Sequence, residues 1–256
     1  MNTGIRVPPL RQIIIWLLII SVVSFAIGAI IAGLEGNSYR SKYQSAVTPV
    51  EIESGTINHA IVALEMDSGS INISEDHLTS LMSGNISGVH AQKGPDISYT
   101  SMDEVGHLNM KQESSMWLDP ISKEDQWNLA LGQKVPTSLS ITMNAGDLRI
   151  QPGDANLTDL SIKQSTGDLI LDLTQWKGTH LMGSIDEGIG SMTILLPAYA
   201  SIATHVENGI GSRSILGLEG EKGTYYHTVQ DRQSPGISLS VNQGIGDLTM
   251  KVVHES

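Results

Sequence analysis

The sequence predicts an all-β fold, a β-solenoid of stacked strands, preceded by one N-terminal transmembrane α-helix. Three observations point there. Residues 13–34, IIIWLLIISVVSFAIGAIIAGL, carry no charge. From residue 58 onward, short runs alternate apolar and polar side chains, and glycine-centred polar turns interrupt them. Cysteine is absent and phenylalanine occurs once, whereas glycine occurs 26 times. The core must therefore be built from Ile, Leu, Val and Met, with tight turns between short elements and no disulfide or thiolate chemistry.

Residues 1–12 form a short tail with Arg6 and Arg11. The apolar run that follows makes ~33 Å of helix at the usual rise, enough for a bilayer core of about 30 Å. A signal peptide's apolar core is about 7–15 residues, so this longer run reads as an uncleaved single-pass anchor. Arg40 and Lys42 follow it and nearly balance the basic residues before it. The short basic tail and the large acidic domain assign the N-terminus to the inside and the domain to the extracellular or periplasmic side of the cell membrane. Residues 35–57 read as a polar linker, with Tyr39 and Tyr43 either interfacial anchors or ordinary linker residues, and with Pro49 suiting a linker. The formal charge of −12, from 15 basic and 27 acidic residues, repels nucleic acid and excludes it as a partner.

Residues 58–254 read as a repeat. SLSITMNAGDLRIQP (138–152), DLSIKQSTGDLILDL (159–173), HLMGSIDEGIGSMTILLP (180–197), SIATHVENGIGSRSILGL (201–218) and GISLSVNQGIGDLTMKV (236–252) each hold an alternating strand, a polar glycine turn and a second alternating strand. The turn glycines are Gly146, Gly167, Gly190, Gly211 and Gly246, at spacings of 21, 23, 21 and 35 residues. The last interval carries a polar loop insertion at 219–236. A looser version precedes them, with turns at Gly69 and Gly106. Period-2 alternation gives each strand one apolar face. A single unit cannot bury that face, but stacked units shield one another. Such a period is too short for helix-pair repeats and fits one coil of a β-helix-like stack.

Trp127-Asn128-Leu129-Ala130-Leu131, Val135-Pro136 before Leu139, NAGDLRI (144–150), TGDLILDL (166–173) and GIGSMTILLP (188–197), in that order, resemble the toast-rack family of bacterial and archaeal membrane-anchored envelope proteins. The opening LTSLMSGNISG (78–88), read as strand-turn-strand, and Pro95 before another strand are similar to the same family. The resemblance implies a stacked β-fold. In some members, such as the regulators of cell-wall-antibiotic responses, it implies envelope-stress sensing or signalling. Those regulators carry several membrane helices before the domain, and this sequence shows one.

Motifs for chemistry are weighed against plainer roles. Gly-Ile-Gly occurs at 188–190, 209–211 and 244–246, but each is followed by a strand pattern and not by the helix that a phosphate-binding loop needs. The triplets therefore read as turns. Asp147, Asp168, Asp186, Glu187, Glu207 and Asp247 would line up along one edge of a stack. Such a ladder could hold calcium, but Asp beside Gly also suits turns, and no metal is assigned. The eight histidines include no H-E-x-x-H; His180 and His205 are the pair that neighbouring coils could bring together. G-x-S-x-G does not occur. Trp127 reads as a core cap and Trp176 as packing between coils. Asn72, Asn85 and Asn156 head N-x-S/T sequons and are candidate glycosylation sites on an external domain.

No catalytic, cofactor-binding or metal residue is assigned. The expected function is a non-catalytic, membrane-anchored envelope scaffold, sensor or regulator. Its expected partners are membrane lipid, through the helix, and another membrane or envelope protein. The alternatives are an adhesin-like surface module for glycan or cell wall and, more weakly, a solenoid polysaccharide lyase or hydrolase. The terminal coil, DLTMKVVHES (247–256), presents a candidate free edge for strand addition or self-association.

Overall fold

The computed structural model describes residues 46–76, 80–88, 94–112, 125–229 and 236–254. The apolar run 13–34, the tail before it, Tyr39, Tyr43, Trp117, His77 and His90 lie outside the described residues. Every regular element described is a strand. In chain order these are β1 (Ala46–Glu53), β2 (His59–Asp76), β3 (Ser80–Gly88), β4 (Asp96–Met102), β5 (Val105–Lys111) and β6 (Asp125–Gly132). Next come β7 (Thr137–Ile150), β8 (Leu157–Thr166), β9 (Leu169–Asp172), β10 (Leu181–Ile189) and β11 (Met192–Pro197). The last are β12 (Ile202–Ile210), β13 (Arg213–Leu216), β14 (Glu219–Glu221), β15 (Thr224–His227), β16 (Ile237–Ile245) and β17 (Leu248–Val253).

The strands form one mixed 17-stranded sheet with two arms around a shared core. Each coil contributes a strand to the first arm, turns a corner, and contributes a strand to the second. Parallel pairing stacks the coils in the order β5/β6, β2, β7, β8/β9, β10/β11, β16/β17, β12/β13. This is not the chain order. At each end the chain lays down an inner coil first or last and forms the outer coil from internal sequence. At one end the outermost coil is made by the internal strands β12 and β13, and at the other β3 and then β1 lie outside β6.

The register aligns like with like. Met110, Leu64, Ile141, Ile162, Ile185, Val241 and Val206 form one buried row across the first arm. Leu129, Ile73, Ile150, Leu171, Ile194 and Met250 form its counterpart in the second. Burying each such side chain is worth roughly 1.5–3 kcal/mol. Where one row has Gly183, the side chain of Leu239 on the next strand fills the space that a Cβ would take.

The corners are set by Gly69, Gly146, Gly167, Gly190, Gly246 and Gly211, with φ between +122° and +155°, a region that L side chains avoid. The coils also approach closely there. A Cβ on Gly146 would overlap the carbonyl oxygen of Gly69, one on Gly167 that of Gly146, and one on Gly190 that of Gly167. The series continues from Gly246 to Gly190 and from Gly211 to Gly246. These overlaps trace the spatial order of the coils and reproduce the inversion of the last two.

Several expectations need correction. Gly106 does not turn the chain: it lies within β5, and the turn is Asp103–Glu104 between β4 and β5, both at positive φ. Residues 80–88 form one strand, not two around a turn. The sheet already includes Ala46–Glu53, inside the stretch read as linker, because β1 pairs antiparallel with β3. The segment 219–236 is not a plain loop. Its β14–β15 hairpin pairs antiparallel with β12 and closes that end of the stack. Tyr225 of this hairpin lies under the Arg213 guanidinium, 5.8 Å from ring centroid to charge. At the opposite end, the antiparallel strands β4, β3 and β1 flank the outermost coil. The edge proposed for strand addition is also not free, because β17 pairs with β11 on one side and β13 on the other.

Two substitutions separate backbone conformation from stacking. Gly190→Ala combines an unfavourable φ with overlap on Gly167 and is expected to cost at least about 3 kcal/mol. Gly55→Ala, also at positive φ but with open space around its Cα, is expected to cost only about 1 kcal/mol. Urea unfolding of both variants measures the difference.

Candidate functional site

Outward side chains fall into rows as strictly as the buried ones. Across the first arm, Ser140, Ser161, Ser184 and Ser240 stand side by side, followed by His205. Small side chains here leave a trough between taller neighbours, a groove of about 590 Å³ running across the coils. Met182 and Tyr226 rise from its wall at 56% and 51% exposure. Among the described residues lining it there is no lysine, arginine or glutamate, and Asp159 is the only carboxylate. The lining therefore offers an anionic ligand no cationic Lys or Arg partner. Its serines went unread in the sequence, although a signal was present. Leu-Ser-Ile at 139–141 and 160–162, Gly-Ser-Ile at 183–185 and Leu-Ser-Val at 239–241 each place serine six residues before a corner glycine.

At one side of the groove, His59 Nε2 lies 3.0 Å from Ser138 Oγ, and that hydroxyl donates to Asp159 at 2.9 Å. The residue types are those of a hydrolytic triad, but the order differs. In a triad the imidazole stands between hydroxyl and carboxylate, which fixes its tautomer and lets it take the seryl proton. Here serine stands in the middle and its proton points at Asp159. The chain of contacts orders the groove wall rather than activating a nucleophile.

The turn carboxylates divide into two sets. Asp147, Asp168 and Asp247 follow corner glycines and cap the neighbouring coil. Asp147 Oδ1 accepts the Asp168 N–H at 3.3 Å, Asp168 Oδ1 the Ser191 N–H at 3.0 Å, and Asp247 Oδ1 the Ser212 N–H at 3.0 Å. Their oxygens thus serve as backbone acceptors between coils. Asp186 and Glu207 point outward from the first arm, while Glu187 is buried. Among the described residues, no group of three or more His, Asp or Glu is arranged to hold a metal ion.

The remaining singled-out residues are scattered. His180 and His205 do not meet, because β16 lies between their strands. Trp127 is buried at the start of β6. Trp176 is fully buried between β9 and β10, donating its indole N–H to the Leu157 carbonyl at 2.9 Å, while its own carbonyl accepts from the Tyr199 hydroxyl. Asn85 is exposed on β3, Asn72 is half-buried with its amide 3.5 Å from Asn128, and Asn156 is half-buried with its carbonyl accepting the Thr137 N–H.

The Ser212 hydroxyl, at 2.6 Å, and the Ser212 N–H hold the Asp247 carboxyl below its ordinary value. A lowered folded-state value gives stability that is full above the unfolded carboxylate range and is lost as pH falls through the folded value. Between pH 6 and pH 3 the urea midpoint of wild type should therefore fall further than that of Asp247→Asn. Equal falls would contradict the cap.

Comparison with known proteins places this geometry. A crystal structure of a candidate cell adhesion protein from Clostridium sporogenes overlays with a TM-score of 0.76 at 22% identity, covering 82% of this chain and 100% of that one. A candidate adhesin from Bacteroides fragilis aligns over 83% of this chain and 98% of its own at 12% identity, with a TM-score of 0.30. No curated protein matches the sequence. Residues 37–195 match the family described as the N-terminal domain of toast_rack, DUF2154, and the chain belongs to the toast-rack family.

Proposed function

We propose that this protein is a non-catalytic binding module, held at the outer face of the cell membrane by residues 13–34, that works by presenting the outer face of its first arm to an envelope partner. The observation that carries this reading is the serine-floored groove. It is a regular trough with a single carboxylate, Asp159, and its lining comes from strands in rigid register rather than from loops. In this reading the helix supplies the membrane contact and the partner is another membrane or envelope protein. Acidic charge keeps nucleic acid away.

A second reading, adhesion to glycan or cell wall, has its own support. Hydroxyls that donate and accept in a row, beside an exposed tyrosine, suit sugar hydroxyls and ring faces. The fold is shared with a candidate cell adhesion protein.

A photo-crosslinking residue placed at Ser184, in the groove, and separately at Thr193, on the outer face of the second arm, tests the surface assignment in native membranes. A specific adduct from Ser184 that is absent from Thr193 is expected, and it should be lost when Ser161→Lys blocks the trough. Equal labelling from both positions would contradict the assignment. A protein adduct supports the first reading and a polysaccharide adduct the second.

A further inference from the structure

Just inside the corner, at the last inward position of the first arm, the coils carry a column of polar side chains. Gln164 on β8, Glu187 on β10 and Gln243 on β16 occupy adjacent register positions. All three are buried, with Glu187 4% exposed. The two glutamines share one pattern. The Gln164 amide donates to the Gly146 carbonyl at 2.6 Å, and the Gln243 amide donates to the Gly190 carbonyl at 2.8 Å. The carbonyl oxygen of Gln243 in turn accepts from Asn208 on the next coil, at 3.3 Å. Both glutamines thus donate along the stack, and Gln243 also accepts from its neighbour.

Glu187 interrupts the pattern. Its neighbour Gln164 has an Oε1 with no donor, and both Glu187 oxygens lack partners. A carboxylate offers only acceptors, so an ionised Glu187 leaves all three oxygens unmatched in a buried site. A neutral carboxylic acid has one O–H donor, which is what the column lacks at this position.

We propose that Glu187 is a proton-operated latch between coils: protonated, it donates to the Gln164 side chain and leaves only its own neutral carbonyl oxygen unmatched, and ionised, it leaves a buried charge without donors and loosens the corner. The surroundings favour the proton. Burial first, and the like charge of Asp168 second, push the Glu187 carboxyl up to about 7. Among the described residues of the flanking strands, no cation points inward beside it. From β8 and its corner the neighbouring charges are Lys163, on the exposed outer face, and Asp168; β16 and its corner bring Asp247; β10 itself brings Asp186, also outward. Across the core, the second arm contributes Leu169, Met192 and Leu248, all apolar and buried. This inference stands apart from the groove and does not depend on its ligand.

The sign follows from linkage. Between the ordinary value of 4.5 and about 7 the unfolded chain releases this proton while the folded chain keeps it. The stability associated with the latch is therefore full below that window, falls across it and is level above it. The loss in the folding equilibrium constant is expected to be on the order of a hundredfold.

The test uses the full chain in detergent. With side-chain carboxyls of glutamate labelled with carbon-13, one resonance should titrate near neutrality in wild type and vanish in Glu187→Gln. Urea unfolding from pH 4.5 to 8 should show wild type losing stability relative to Glu187→Gln, which continues the glutamine pattern. Amide exchange at residues 187–191 should accelerate above pH 7 in wild type alone, after correction for intrinsic rates. If every glutamate titrates below about pH 5, or if the two proteins keep a constant stability difference across that range, the latch is refuted. The wild-type titration decides the matter even if the variant does not fold.

Discussion

The packing of one corner glycine against the carbonyl oxygen of the next governs this molecule. At that distance no side chain fits, and at that φ none is comfortable. The contact holds neighbouring coils in register at one point, and parallel pairing then carries the register outward in both directions. Everything in rows follows from it: the Leu and Ile ladders of the core, the serine floor of the groove, the aspartates that cap adjacent backbones, and the glutamine column inside the bend. A shift of one residue in a single coil would turn its apolar set outward and break all four rows at once.

Much of this was legible in the sequence because stacking imposes repetition. Alternation revealed the strands, and glycine followed by Asp or Ser marked most corners. Gly106 misled because a glycine inside an alternating run looks the same whether it turns the chain or packs beneath a neighbour, as it does against Ile57 and Tyr99. The order of the coils was not legible. Coils built on Gly-Ile-Gly at 188, 209 and 244 have nearly interchangeable edges, so local pattern does not say which pairs with which. The hairpin between β13 and β16 decides it, because it occupies the outer edge of β12 and leaves the inner edge to β16. A segment read as an insertion into the repeat is thus the piece that closes the stack.

The candidate site was less legible still. A serine in a strand carries no signal alone, and its meaning lies in the three serines beside it, which come from distant parts of the chain. Glu187 looked like one more turn acid. Only the structure places it among glutamines, where its chemistry differs from that of Asp168 and Asp247. Among the described residues, the connections are corners and caps, and the broad ordered surfaces are the faces of the strands. That is the expectation for a stack that offers broad ordered surfaces and shields its ends with antiparallel strands.

The inverted order of the final coils tests the account most directly, and the absence of native cysteine makes it accessible. Ile189, Ile245 and Ile210 are exposed and lie on β10, β16 and β12 in that spatial order. Adjacent strands are about 4.8 Å apart, within disulfide reach, and next-but-one strands roughly 9.5 Å apart, beyond it. Under mild oxidation the pair Ile189→Cys with Ile245→Cys should crosslink, and the pair Ile189→Cys with Ile210→Cys should not. The reverse result would mean that the coils stack in chain order and would contradict the corner ladder described above.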